Sequence, residues 1–545
     1  IFSGNIQDGV GKIAVTLNSP GVTQNFSGNN TYSAGTVVQD ITLKLGSAGA
    51  LPQGRDVTID VNGTLDLSIY SQTIKKLMGS GTITSNSGDP TILSTLTLTP
   101  DADTTFSGNI QDGTGKVATV INSPGVTQTF SGNNTYSGGT RAQAGTIVAS
   151  NNSALGTGVV SLEGGTLQAG QNPLTLGNNI ALGNSSIIDN KGYELTFSGN
   201  FSSSTQGILE FIDSSVAQNG TTILSGQSIF SNKMITQKTR LTNSGAMTLN
   251  NSTTLGSDNL FTNTGTITIN ASTFNNRDMC INSEEITNNH NFNNFDILRL
   301  DTNSKFTGTG SLNLSGSTVI FNGPGIQFNN NIALNPDFID LLENTLSVAN
   351  GVTQNINNVI SSPNGSAPLI KDGLGTLVLS GANTYEGGTK IQNGTLSISS
   401  DSNLGKAYHP TTAPDAIVTL GTNTGLNDTS GTLKFTAGFA LNRPITLNQG
   451  GGIFDIGNNP VTLSGVISGN GSLTKTGVGI LYLNAQNLHS GGTTISSGAV
   501  QVGHNSALGT GPVTMAGGTT LFWGADANLS NAFTLNGITN LNTSS

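Results

Sequence analysis

Cysteine and tryptophan each occur once in the 545 residues, as Cys280 and Trp523, and only 9% of the residues are charged. A single cysteine cannot close an intrachain disulfide, so no covalent staple can hold the fold. Twenty Lys and Arg against 30 Asp and Glu give a formal net charge of −10. Basic groups this sparse form no phosphate-neutralising patch, which excludes a nucleic-acid binder and disfavours an anionic membrane surface. So little charge of either sign also excludes a coiled coil and a charge-solvated disordered chain. No apolar run reaches the ~18 residues of a membrane-spanning helix. Glycine, though 73 strong, lacks the three-residue period of collagen.

What is present is Gly, Asn, Thr and Ser, with 66 Asn. Self-similarity organises them. Phe2–Thr36 and Phe106–Thr140 are 104 residues apart and identical at 28 of 35 positions. More diverged copies lie at Leu369–Leu396 and Leu473–Leu521, whose Gly-Gly-Thr triplets at Gly387 and Gly491 are again 104 apart. Inside the blocks, Phe2 and Phe26, and likewise Phe106 and Phe130, are 24 apart, and Gly145 and Gly165 are 20 apart. A unit of 20–24 residues has the spacing of a solenoid.

Strand-like stretches are short and alternate apolar with Thr, Ser, Asp or Asn: Val57–Val61, Leu96–Thr99, Leu174–Leu176, Thr266–Ile269, Leu377–Leu379 and Ile480–Leu483. Period two with β-branched residues predicts strands with one buried face. Gly-Asn, Asn-Gly and Gly-Gly pairs supply sharp turns, because both residues tolerate the left-handed backbone region. The predicted fold is all-β: a single-stranded parallel β-helix of roughly 25 coils, with apolar residues stacked inside and Asn ladders at the turns. One helical turn or lateral excursion is expected over Pro336–Leu346. Along the chain we expect a first duplicated block at 1–104 and a second at 105–190. An Asn/Phe/Thr-rich stretch follows at 191–360, and further repeat copies at 361–545. No charged or Pro-rich linker separates them, so one continuous solenoid is expected.

The order of submotifs is informative. Lys371–Leu396 and Lys475–Leu521 read Lys-x-Gly-x-Gly-x-Leu, then Gly-Gly-Thr; Asn133–Leu167 carries Asn-Thr-Tyr-x-Gly-Gly-Thr and Asn-Ser-Ala-Leu-Gly-Thr-Gly. This pattern resembles the autotransporter-associated β-strand repeat, or passenger-associated repeat, of bacterial type V secreted proteins. The resemblance implies a right-handed β-helix. It also implies an extracellular passenger region, outer-membrane associated or released from the cell surface, in which the repeat aids transport and folding outside the cell. Near-absence of cysteine suits a chain that crosses an envelope unfolded. The chain opens with Ile1-Phe2-Ser3-Gly4, inside a recurring motif, and is expected to be an excerpt of a longer product. It shows no translocator barrel, and His489 replaces the Tyr of the last copy. A further resemblance, to chlamydial polymorphic membrane proteins, rests on Phe-x-x-Asn at Phe2, Phe26, Phe106, Phe130, Phe197 and Phe328, without their companion Gly-Gly-Ala-Ile motif.

Candidates for chemistry are few. Arg277, Asp278, Glu284, Glu285, Asp296, Arg299 and Asp301 form the densest charged stretch, together with Cys280 and His290. Asp278 and Asp301, 23 apart, are expected to stack on neighbouring coils, with Glu285 between them in sequence, as a polysaccharide-cutting β-helix would need; a solvated polar face is the expected reading. Cys280 and His290 lack further ligands at zinc spacing. Gly11-Lys12 and Gly115-Lys116 fail the P-loop spacing, and Gly450–Asp455 only echoes a calcium repeat. The histidines His290, His409, His489 and His504 accompany no nucleophile elbow. His489 is expected at a surface or turn, and Tyr32, Tyr136 and Tyr385 are expected to pack against the Gly-Gly turn. No catalytic residue, metal or cofactor is therefore expected. The expected role is a non-enzymatic stalk or fibre with adhesive regions; the alternatives are a filament subunit assembled end to end and a glycan-processing enzyme. Expected partners are further copies of the chain and host or neighbouring-cell surface molecules. No nucleic acid is expected, and a membrane only through a part of the chain outside this sequence.

Overall fold

The computed structural model describes residues 1–203, 205–231, 233–335, 343–523 and 527–543. Among them there is no α-helix, and the paired strands run parallel, stacked as a β-solenoid of about 26 turns. The strands expected from alternation form, at Val57–Ile59, Leu93–Leu98, Leu174–Leu176, Thr266–Ile269, Thr376–Leu379 and Ile480–Leu483. Most are three to five residues long, because a turn residue follows each short apolar run. Of the helical candidate, residues 336–342 lie outside the described residues. Asn344–Val348 is a strand, paired with Thr318–Phe321 and Leu369–Asp372.

The chain forms two compact units, Ile1–Phe274 and Asn275–Ser545. In the first, Thr140 pairs with Val160, and Val160 with Ile180. In the second, Leu369 pairs with Thr389, and Leu473 with Thr493, which pairs with Val513. These steps are 20 residues each. Strand residues alternate buried and half-exposed, and the buried ones meet their equivalents in adjacent coils. Phe197 and Phe201 pack edge-on at 5.0 Å in the first unit; Phe292 and Phe306 do so at 5.2 Å in the second. Each coil therefore presents its neighbour with both a hydrogen-bonding edge and an apolar layer, and stability is shared between nearest neighbours.

Close stacking also dictates glycine at one corner of the first unit. Gly199, Gly226, Gly245 and Gly265 stand in file. A Cβ on Gly226 would lie 2.2 Å from the carbonyl oxygen of Gly199, and one on Gly245 would lie 2.1 Å from that of Gly226. No side chain fits such a gap without moving the neighbouring coil.

Coil length varies by local design. From Asn275 the chain adopts a six-residue beat: Cys280, Ile286, Phe292 and Leu298 are buried, and so are Asn276, Asn282, Asn288 and Asn294. Three such six-residue sides close one coil, and Met279 accordingly pairs with Ile297, 18 residues on.

The repeat corner as candidate functional site

Four buried asparagines occupy one position of the recurring motif: Asn30, Asn134, Asn383 and Asn487. Each spans three coils. The Oδ1 of Asn134 accepts from the backbone N–H of Ile110 at 2.7 Å, and its Nδ2 donates to the carbonyl of Ala154 at 2.6 Å. Asn30 does the same between Ile6 and Ala50, Asn383 between Ile360 and Asn403, and Asn487 between Ile467 and Ala507. A carboxamide suits this place because it alone among small side chains offers an acceptor and a donor on opposite sides.

Two residues on, the aromatic ring of each copy is buried and tied to the threonine four residues further along. Tyr32 meets Thr36 and Tyr385 meets Thr389, both at 2.7 Å; Tyr136 meets Thr140 likewise. The rings are thus structural. Tyr136 and Tyr385 lie against Gly156 and Gly405 of the following coil, where positive φ, and an added Cβ that would stand only 3.0 or 2.9 Å from the ring, leave no room for a side chain.

His489 corrects the sequence reading: it is fully buried, in the tyrosine's place. Thr493 Oγ1 donates to the carbonyl of Leu508, so the Nε2–H of His489 donates to Thr493 Oγ1 at 2.9 Å. Nδ1 is then a buried acceptor without a partner. Burial pulls the imidazole pKa down to about 4, against about 6.5 in an unfolded chain. Between these values the unfolded state binds more protons, so stability is fully present above pH ~6.5 and declines as pH falls towards 4. The difference amounts to about 3 kcal/mol. His489→Tyr is expected to abolish this share of the acid sensitivity. The check is the denaturation midpoint of both proteins between pH 4 and 7; equal slopes would refute the assignment.

The later copies add a buried lysine. Lys371 Nζ donates to the carbonyls of Asp372, Gly373 and Asn393, and Lys475 Nζ to those of Thr476, Gly477 and Ser497. Burial lowers both pKa values to about 8, and three carbonyl acceptors hold each ammonium in its charged form at neutral pH. Each lysine thereby ties its own turn to the next coil. Another buried cation, Arg443, anchors the longer excursion of the third copy. It bonds the Asp401 carboxylate and the carbonyls of Asp401, Gly405, Lys406 and Ala416.

The pairing of Asp278 with Asp301 that a polysaccharide-cutting β-helix would need does not form. With coils of 18 residues here, Asp278 falls in register with Asp296, and Asp301 falls beside Ser283 at the other end of the strand. Asp301 is held by Arg299, Asn322 and Ser283. Burial pushes its pKa up, but those hydrogen bonds together bring it below the ordinary value. Burial, and then repulsion by Asp278, raises that of Asp296. Glu285 sits 3.5 Å from the Lys305 ammonium. Asp301 and Glu285 are thus taken up in separate ion pairs, while Asp278 and Asp296 face each other on adjacent coils away from both. Cys280 is fully buried, and burial pushes its thiol pKa far up, while His290 points outward at an exposed turn. Sequence reasoning missed Asn134 and its equivalents, although the invariant step from Asn to the aromatic to Thr in all four copies carried the signal.

Residues 23–45, 127–149, 369–398 and 473–502 match the family described as passenger-associated-transport-repeat. Each segment contains the Asn, the aromatic ring and the Thr of one corner, and the coil partners of the Asn lie outside it. The chain is also 33% identical over 214 residues to the adhesin BmaC autotransporter of Brucella suis biovar 1 (strain 1330). The match covers 37% of this chain and 6% of that protein, so the chain spans a small part of its relative's length. No solved structure matches it.

Proposed function

We propose that this chain, an autotransporter passenger-repeat protein, is a non-enzymatic surface stalk whose coils assemble outside the cell and hold adhesive faces away from it. The observation that carries this reading is the asparagine corner. Its buried acceptor and donor are satisfied only when the coils on both sides are in place, so a segment emerging from an export channel gains its bonds by docking on the coil already formed. No disulfide is needed for this, and the one thiol is buried. The dispersed carboxylates favour a structural role over glycan cleavage, and the adhesin relative supports an adhesive one. The test inserts an epitope beside Leu426, which is 83% exposed in an outer turn, within the full reading frame in its native host. Antibody labelling of intact cells is expected. An epitope reached only after lysis would reject the reading.

A further inference from the structure

In the second unit, one outward sheet face differs from the rest of the surface. The strands Asn291–Asn294, Ser311–Ser315 and Asn331–Asn335 stack in parallel, with Asn293 beside Asn313 and Ser315 beside Asn335. Between them lies a depression lined by Asn293, Phe295, Asn313, Ser315 and Asn335 and walled by Pro363-Asn364. The carboxamides form a file: Asn313 Nδ2 donates to Asn293 Oδ1 at 2.7 Å, and Asn293 Nδ2 donates to Asn275 Oδ1 at 2.8 Å. Across the depression, Asn364 Nδ2 donates to Asn335 Oδ1 at 2.7 Å. A carboxamide has two N–H groups and two lone pairs. The file uses one of each at Asn293, a half-exposed residue, and leaves one of each for a ligand. Beside it Phe295 is 42% exposed.

We propose that this face binds a neutral glycan. The proposal rests on the reading of the chain as a surface passenger, because it supposes a ligand met outside the cell. Three features select the ligand class. Among the described residues no charged side chain lines the depression, so these residues offer nothing to a sulfate, carboxylate or polybasic ligand. The carboxamides hold donors and acceptors side by side in fixed orientation, which matches vicinal hydroxyls that both donate and accept. The Phe295 ring supplies the apolar surface on which the C–H face of a sugar ring stacks. An extended peptide is a poorer fit: the backbone N–H and C=O groups of these strands are already spent on neighbouring coils, and strand addition needs a free edge rather than a face.

The test presents the purified full chain to an array of neutral and acidic glycans, with an array of peptides alongside, at low and high salt. Binding to neutral glycans is expected, with little salt dependence. Phe295→Ala and Asn313→Leu are each expected to weaken it about tenfold, with circular dichroism and the melting curve unchanged because both side chains lie on the outer surface. Binding only to acidic glycans or peptides, no binding at all, or binding indifferent to both substitutions would overturn the proposal. Cells that label at the surface but bind no glycan would reject this site and leave the passenger reading standing.

Discussion

Truncating Asn134 to alanine is expected to cost about 2–5 kcal/mol and to loosen three coils at once. The side chain makes two buried hydrogen bonds, to Ile110 N–H and to the Ala154 carbonyl, and is itself 1% exposed. Alanine reaches neither. Each backbone group left buried without a partner costs about 1–3 kcal/mol, and no water enters without opening the stack. Nearest-neighbour stability makes the damage local. The thermal transition is therefore expected to broaden or split rather than shift as a whole. Hydrogen exchange reads it directly: the amide of Ile110 should lose protection together with amides of the coil around Ala154, while amides near Ile267 keep theirs. Unchanged protection at Ile110 would show that the corner is not the tie between coils.

Arg443→Met is expected to destabilise the surrounding coils by about 3–5 kcal/mol. The guanidinium is 1% exposed, yet its Nε and both Nη groups all have acceptors. Its removal strands the carbonyls of Gly405, Lys406 and Ala416 and leaves the Asp401 carboxylate without its counterion. Asp401 opens a single 3-10 turn, Asp401–Leu404, capped by Ser400. Without the arginine, this turn and the excursion up to Ala416 lose their anchor. Limited proteolysis should show new cleavage after Lys406 in the variant, with the coils of Leu473–Val502 still resistant. Arg443→Lys supplies one nitrogen in place of three and is expected to fall between the two. A variant that resists proteolysis as the parent does would place the anchoring elsewhere.

Much of the architecture was legible because a stacked coil repeats its turns. The 104-residue duplication, the alternation in Leu174–Leu176 or Ile480–Leu483, and the Gly and Asn density all point to the same structure. What failed did so for a physical reason. Asp278 and Asp301 were paired on a 23-residue coil, but the stretch from Asn276 to Asn294 closes in 18. The local beat of buried residues at 280, 286, 292 and 298 was present in the sequence and contained the right register. His489 occupies the Tyr position of the repeat, which the sequence alone places at a surface or turn, whereas the structure buries that position in all four copies. The structure buries it because the Thr493 hydroxyl accepts either a phenol or an imidazole. The asparagine corner escaped notice because its partners lie 20 to 24 residues away, where no local pattern records them.

The duplicated block bears on how such a gene changes. Residues 2–36 and 106–140 make matching bonds at matching places: Asp8 caps the N–H of Ile13 as Asp112 caps that of Val117, and Asn30 and Asn134 face the same neighbours. Unequal recombination between the two copies would delete or add 104 residues. The new junction would join surfaces that already meet in the parent. Length can therefore drift by whole blocks while every interface in the descendant has been selected before.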